Sequence, residues 1–472
     1  MNISKRFSLY FLATIISRGV GFILLPLYTE HLSTAEYGVL AIIDTLGLYF
    51  GIFVAGGLGT ALVRFYDVDD SQNNKNVFTG VVSIVSLLFL FLLAIVALIT
   101  AFYDFNLISS NIILLSMTYF GLDTVNSLYI RQLNINKSDK TYFVVLMMKL
   151  AIAVPLNIYF IAYKEMGVIG FIYANLLSSS FVLFFSCIPY FIKQFSLPSL
   201  AFLKKLMSYS LPFIPNGLLE ALFTSISIIL LQLFHPPESL GVFAIALKLA
   251  SILFLVSEPI QSLWVPYVFS IKNDPDKGVK YAKGMRLMTL ALLLAAFGVT
   301  SFSGVIFYFL VDEQFKEAIT VLPILLLANC IYMLRGTARI GIMLSDDVKK
   351  IPYATLLTIV ISLPIFAYLT YRFGAMGAAL GQLTQSCVLI LIFLHWSNKF
   401  VVIKTKAIQY IPPIIVFLLM SNVINVEVSL NILTPLIVFF SYLIFIYFSG
   451  AINRDEKEFV LTQIKSRLKE KE

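Results

Sequence analysis

The chain has 472 residues, 59% of them hydrophobic and only 13% charged, with a mean hydropathy of +0.90. Soluble domains carry about a quarter charged residues, so a water-facing globular fold is excluded. The apolar runs have helix length, not barrel-strand length, which marks an all-α integral membrane protein. The net charge of +8 therefore has to be read loop by loop, and it gives no reason to expect a nucleic acid partner.

The first apolar run covers residues 8–28 and contains FLATIISRGVGFILLPLY, with Arg18 in its middle. Lys5 and Arg6 precede it as they would a signal peptide. The run is too long for one, Arg18 interrupts it and no A-x-A site follows, so it is expected to remain as the first helix. Thirteen further runs follow near 38–63, 77–102, 107–130, 142–163, 167–192, 208–234, 240–270, 284–311, 317–343, 351–371, 374–396, 407–424 and 430–449. Between the sixth and seventh, KQFSLPSLAFLKKL (193–206) mixes lysines with leucines, as an amphipathic surface helix does. In the tail, Val460, Leu461, Ile464 and Leu468 share one helical face, with Asp455 and Glu458 spaced to cap it; a short solvated tail accounts for them equally well.

With the N-terminus placed in the cytoplasm, the cytoplasmic segments hold 25 of the 34 Lys and Arg residues and the outer loops three: Lys164, Lys316 and Arg372. One missed or extra helix in the middle would scramble this asymmetry. It predicts an even number of spans with both termini inside.

The chain also repeats itself. EHLSTAEYGVLAI (30–42) matches FHPPESLGVFAI (234–245), which aligns Gly38 with Gly241. YKEMGVIGFIYANL (163–176) matches YRFGAMGAALGQL (371–383), which aligns Gly167 and Gly170 with Gly374 and Gly377. The shifts are 203 and 207 residues, and an even number of spans separates the copies, so the repeats are parallel. The expected architecture is about fourteen transmembrane helices: an N-lobe at 1–192, an interfacial linker at 193–207, a pseudo-symmetric C-lobe at 208–396, two further helices at 397–449 and a cytoplasmic tail at 450–472. Such two-lobed proteins bind substrate between the lobes.

The LPLYTEHLSTAEYGVL pattern, the G-x-x-G at the starts of the sixth and twelfth runs, Pro212 and Pro215 in the seventh, and the two extra C-terminal runs resemble the polysaccharide flippases of the O-antigen (Wzx) type. These belong to the superfamily that also holds the multidrug (MATE) exporters and the lipid II flippases. The resemblance covers nearly the whole chain. It implies two six-helix bundles around a cavity and export of an undecaprenyl-diphosphate-linked oligosaccharide across the bacterial inner membrane. Membrane lipids, and polysaccharide polymerase or assembly proteins, are the further partners it implies.

Ionisable residues at bilayer depth are functional candidates by default. Arg18 lies 20 residues before Gly38 and Asp44 six after it; Glu220 lies 21 before Gly241 and Lys248 seven after it. The two repeats thus carry charges at matching depth with inverted signs. Either these form two ion pairs inside the lobes, or they line the cavity, where Arg18 and Lys248 would meet a diphosphate. Arg335 and Arg339, four apart on one helical face, would form a basic entrance or ordinary cytoplasmic anchors. These six residues are the expected substrate contacts. Asp123 and Lys149 lie at similar depth and are expected to form a structural pair. A gradient-driven transporter needs a coupling proton or sodium ion, for which Asp44, Glu220 and Glu258 are the carboxylate candidates; the membrane potential is the alternative. Arg64, Arg131 and Arg286 sit at cytoplasmic helix ends, where snorkelling accounts for them.

Gly47 with Gly51, and Gly377 with Gly381, form G-x-x-x-G pairs that mark close helix contacts. Cys187, Cys330 and Cys387 lie in apolar runs without metal spacing and read as packing residues. There is no Walker A sequence, so direct ATP drive is not expected. A multidrug exporter is the nearest alternative. A membrane glycosyltransferase or polymerase is a further one, and the short outer loops argue against it.

Overall fold

The computed structural model describes residues 16, 19–67, 69–103, 105, 108–345, 347, 349–402, 411–423 and 432–449. All regular structure among them is helical, and a described helix falls in each of the fourteen expected runs. Among the described residues eight helices are long and apolar enough to cross a membrane, or nine if the bent pair Pro237–Ala250 and Leu253–Ser270 is one span. The protein is an all-α, multi-pass membrane protein.

In chain order the first helices are α1 (Leu25–His31), α2 (Thr34–Ala55), α3 (Leu58–Arg64), α4 (Ser71–Phe102), α5 (Ser110–Ile135), α6 (Asp139–Asn157, continued as a π-helix to Tyr163), α7 (Gly167–Val182) and α8 (Ile188–Gln194). Then come α9 (Leu200–Ser210), α10 (Phe213–Phe234), α11 (Pro237–Ala250), α12 (Leu253–Ser270), α13 (Lys277–Ser301) and α14 (Ser303–Leu310). The series closes with α15 (Ala318–Met333), α16 (Arg335–Ala338), α17 (Ile340–Leu344), α18 (Lys350–Ser397, two helices joined at the non-helical Gly374), α19 (Ile411–Val423) and α20 (Leu433–Phe448).

Several expected spans are not single straight rods. The second run stops at Gly56 and Gly57, whose φ angles of +49° and +80° suit only residues without a Cβ penalty. The eighth bends by 42° between α11 and α12. The tenth breaks at Leu334 and again at Arg339. The linker is non-helical at 195–199 and helical again from Leu200, because Pro198 disfavours helix before it and Ser199 caps the helix, its side chain accepting from the Phe202 N–H at 3.2 Å.

Packing divides the chain into two units, Met1–Ala244 with Leu310–Phe315 and Ile245–Phe309 with Lys316–Glu472. In the first unit a capping box starts α2: Ser33 Oγ accepts from the Glu36 N–H at 3.2 Å and the Glu36 carboxylate accepts the Ser33 N–H at 2.9 Å. A methyl added to Gly47 would lie 2.3 Å from the Phe120 ring, and one added to Gly121 would lie 2.0 Å from the Phe89 ring. Those glycines let α2, α4 and α5 close on aromatic side chains. The linker docks on α4 where Gly80 leaves room: Leu206, Leu203 and Pro198 would stand 3.0, 3.1 and 3.6 Å from an added methyl.

The first unit also holds a long seam between α2 and the pair α10–α11. At one end Gly38 lies against Pro237 and Gly241, and Gly241 against Thr34 and Gly38. Further along, Tyr49 Oη and Ser225 Oγ are 2.9 Å apart, and Gly217 receives Ile52. Ser225 gives its own proton to the Ala221 carbonyl at 2.8 Å, so Tyr49 is the donor. At the far end Gly57 faces Ser210 and Phe213.

In the second unit α19 and α20 dock on α13 through the Phe297 ring, which stacks on Tyr442 at 4.0 Å and meets Phe417 edge-on at 5.7 Å. The buried Tyr442 hydroxyl donates to the Pro413 carbonyl at 3.0 Å.

Candidate functional site

The charged residues expected at bilayer depth fall into two groups. In the first unit Asp44 is exposed on α2, about 120° around the helix from the seam positions Gly38, Tyr49 and Gly56. It therefore shares a face with Tyr37, two turns earlier. The hydroxyls of Tyr28, Tyr37 and Tyr119 all lie within electrostatic range of its carboxylate. Tyr28 in turn donates to Asn157 Oδ1 at 3.1 Å. On the neighbouring helices Lys149 forms an ion pair with Asp123, Ser179 donates to the same Asp123 oxygen at 3.3 Å, and Asn126 donates to the Ser179 carbonyl at 2.8 Å. Glu220 is half-buried on α10. Arg18 lies outside the described residues, as does the tail at 450–472, for which an apolar helical face is one expectation.

In the second unit the charges sit where helices are broken. Lys248 is half-buried in the last turn of α11, immediately before the 42° bend, and its carbonyl accepts from the Ser251 hydroxyl at 2.5 Å. Glu258 is exposed on α12, one turn before Gln261. Gln261 reaches across to the tenth span and donates through Nε2 to the Met333 carbonyl at 2.9 Å. Two residues on, Arg335 places its guanidinium 4.1 Å from the Tyr332 ring centroid and donates to the Tyr332 hydroxyl. Arg339 occupies the second break. Broken spans inside a membrane are tolerated where they are buried in protein or line a cavity, and in transporters they carry binding sites.

Residues 3–272, more than half of the chain, match the family described as polysaccharide biosynthesis protein. The chain belongs to this family. No curated protein matches it in sequence. Among solved structures the fold of this family member is similar to "Lipid II flippase MurJ, inward closed conformation", with a TM-score of 0.68, 15% identity, and coverage of 92% of this chain and 98% of that one. It is also similar to a multidrug resistance MATE family transporter in its inward-facing conformation, with a TM-score of 0.61, 16% identity, and coverage of 84% and 94%. A third match is a MOP superfamily transporter from Pyrococcus furiosus, with a TM-score of 0.50, 15% identity, and coverage of 84% and 92%. At these identities the likeness establishes the fold, which is that of transporters and flippases.

Reading the sequence for charge missed the polar uncharged partners. Tyr37 was detectable, since it lies seven residues before Asp44 on one helical face. Gln261 carried no signal: it is one amide in an apolar run, and its role exists only because the tenth span is broken.

Proposed function

We propose that the protein translocates an undecaprenyl-diphosphate-linked oligosaccharide repeat unit across the bacterial inner membrane by alternating access, with both termini in the cytoplasm. The family and the flippase fold support the reading, and one observation carries it. The basic residues Lys248, Arg335 and Arg339 all sit at breaks in spans eight and ten. Breaks free backbone groups and re-aim side chains, and arginine offers bidentate contacts to phosphate oxygens. The N-lobe at 1–192 and the C-lobe at 208–396 are the two bodies that rock. The diphosphate-sugar head group passes between them while the polyprenyl tail stays in lipid. Arg18, Asp44 and Glu220 complete the substrate contacts. Asp44, Glu220 or Glu258 takes up a coupling proton or sodium ion. No covalent step is involved. Polymerase or assembly proteins receive the product on the outer side.

The similarity to MATE transporters gives the second reading, a multidrug exporter. A deletion strain separates the two. Accumulation of lipid-linked repeat units with loss of surface polysaccharide supports the flippase; drug hypersensitivity with normal polysaccharide supports the exporter. Complementation with Lys248→Ala or Arg335→Ala is expected to fail while the variants still insert. Normal export from both would sink the basic-site reading.

A further inference from the structure

At the two breaks of the tenth span, one backbone carbonyl and one backbone N–H are taken up by side chains of neighbouring helices. In an unbroken helix the Thr337 N–H would bond to the Met333 carbonyl. Here it donates to Leu334 at 3.0 Å. The Met333 carbonyl instead accepts from Gln261 Nε2 of α12 at 2.9 Å. The amide oxygen of Gln261 lies against Gly336, where an added methyl would be only 2.3 Å away. At the second break the Gly341 N–H, which a regular helix would direct to Thr337, donates to Ser397 Oγ of α18 at 2.7 Å. A methyl on Gly341 would stand 2.2 Å from the Ser397 carbonyl. Ser397 is fully buried, and Gln261 is half-buried.

These two patches bracket the arginines. Met333 and Gly336 flank Arg335, and Gly341 follows Arg339 by two residues. A carbonyl or N–H left unpaired in the membrane is strongly unfavourable, so without the patches the segment would rewind into a continuous helix. Between the two patches Arg335 and Arg339 keep one-turn helical spacing, the Arg339 N–H donating to the Arg335 carbonyl at 3.2 Å, so the patches set how that turn is aimed relative to the helix on either side.

We propose that Gln261 and Ser397 are positioning residues: they fix the two breaks at Leu334 and Arg339, and with them the helical turn 335–338, so that Arg335 and Arg339 present a fixed pair of cations to a diphosphate. The proposal rests on the reading of these arginines as substrate contacts. It adds two uncharged residues from two other helices, neither of which need touch substrate. Gly336 and Gly341 are part of the same device, since a side chain at either position would expel its patch.

The test uses the full-length protein in nanodiscs, with inorganic pyrophosphate as probe and calorimetric affinity as readout. Gln261→Met keeps the bulk and removes the donor; Ser397→Ala removes the acceptor. Each is expected to weaken pyrophosphate binding about tenfold, as is Arg335→Ala. The double variant Gln261→Met/Arg335→Ala should bind no more weakly than Arg335→Ala alone, because the Gln261 patch, at Met333 and Gly336, flanks Arg335 and acts through that arginine. Additive losses in the double variant would overturn the positioning role. So would unchanged affinity in Gln261→Met and Ser397→Ala when Arg335→Ala binds weakly. Unchanged affinity in Arg335→Ala would overturn the reading of the site itself, which is a separate failure. If Gln261→Met fails to fold, Gln261→Asn, with a shorter amide that cannot reach Met333, takes its place in the same cycle.

Discussion

Gly38 and Gly241 are each other's partners. A methyl added to Gly38 would lie 2.2 Å from the Pro237 carbonyl oxygen and 3.2 Å from the Gly241 nitrogen; one added to Gly241 would lie 1.9 Å from the Thr34 carbonyl oxygen and 3.2 Å from the Gly38 nitrogen. The 203-residue shift that relates the repeats carries Thr34 onto Pro237 and Gly38 onto Gly241. The contact is therefore reciprocal, as at a two-fold axis, and both partners are backbone, which cannot swing aside. Alanine at either position is expected to destabilise the protein by about 1–3 kcal/mol through overpacking, with similar losses at the two sites. Thermal unfolding in detergent checks this; a shift at one site only would contradict the reciprocity.

The second repeat pair leads to a different prediction. Gly167 and Gly374 have φ of +56° and +55°, and they start the second helix of the hairpins at 139–194 and 350–397. Three residues on, Gly170 and Gly377 meet the carbonyls of Phe160 and Leu369 at 3.1 and 1.9 Å from an added methyl. The first glycine turns the chain and the second lets the hairpin close. Gly374 combines its φ with ψ of −131°, a region essentially restricted to glycine. Gly374→Ala should cost about 1–3 kcal/mol from backbone strain. Gly167→Ala should add a collision with the Glu36 carboxylate, 2.4 Å from the methyl. Gly167→Ala combined with Glu36→Ala should then recover part of the loss, measured as the midpoint of thermal unfolding.

The Asp123–Lys149 pair is tied to Ser179 and lies between helices of the first unit. Removing one partner leaves a half-buried charge without its counter-ion, which is destabilising, whereas replacing both by apolar residues is often neutral. Asp123→Leu alone should sharply reduce the amount of folded protein, and Asp123→Leu/Lys149→Met should restore it. Surface polysaccharide export in the double variant then reports on function. Normal export is expected of a structural pair, and loss of export at normal protein level would place the pair in the transport path.

The helical membrane architecture, the repeats and the glycine landmarks were legible because each rests on local rules: apolar length and residues without a Cβ. Gly47 and Gly381 of the two G-x-x-x-G pairs do mark close contacts, but with the rings of Phe120 and Phe366 rather than with another backbone. The breaks in spans eight and ten were not legible. No proline lies at 251–252, 334 or 339. In span ten the backbone groups at the breaks meet side chains of other helices, Gln261 and Ser397, and hydropathy assigns no direction to a side chain. The depth of Asp44 could be counted from Gly38, but its facing toward Tyr28 and Tyr119 depends on how α2 rotates against α5, which glycine positions only partly constrain.

The docking of the linker gives a graded prediction. Gly80 on α4 sits beneath Leu206, Leu203 and Pro198 at 3.0 to 3.6 Å from an added methyl, so alanine needs shifts of only a few tenths of an ångström from flexible side-chain ends. Leucine there has no such space and must lift α9 from α4. The linker is also tethered by polar contacts. Ser196 Oγ is 2.7 Å from Asn76 Oδ1, and Thr79 Oγ1 accepts the Ser196 N–H at 3.3 Å. Each such bond contributes about 1 kcal/mol. Gly80→Ala should therefore be close to neutral, Ser196→Ala should have a modest effect, and Gly80→Leu should detach the linker. Detachment would expose the non-helical residues 195–199 to protease. Cleavage there should rise in the order Gly80→Ala, Ser196→Ala, Gly80→Leu; equal cleavage in all three would show that the linker is held by its membrane contacts instead of by α4.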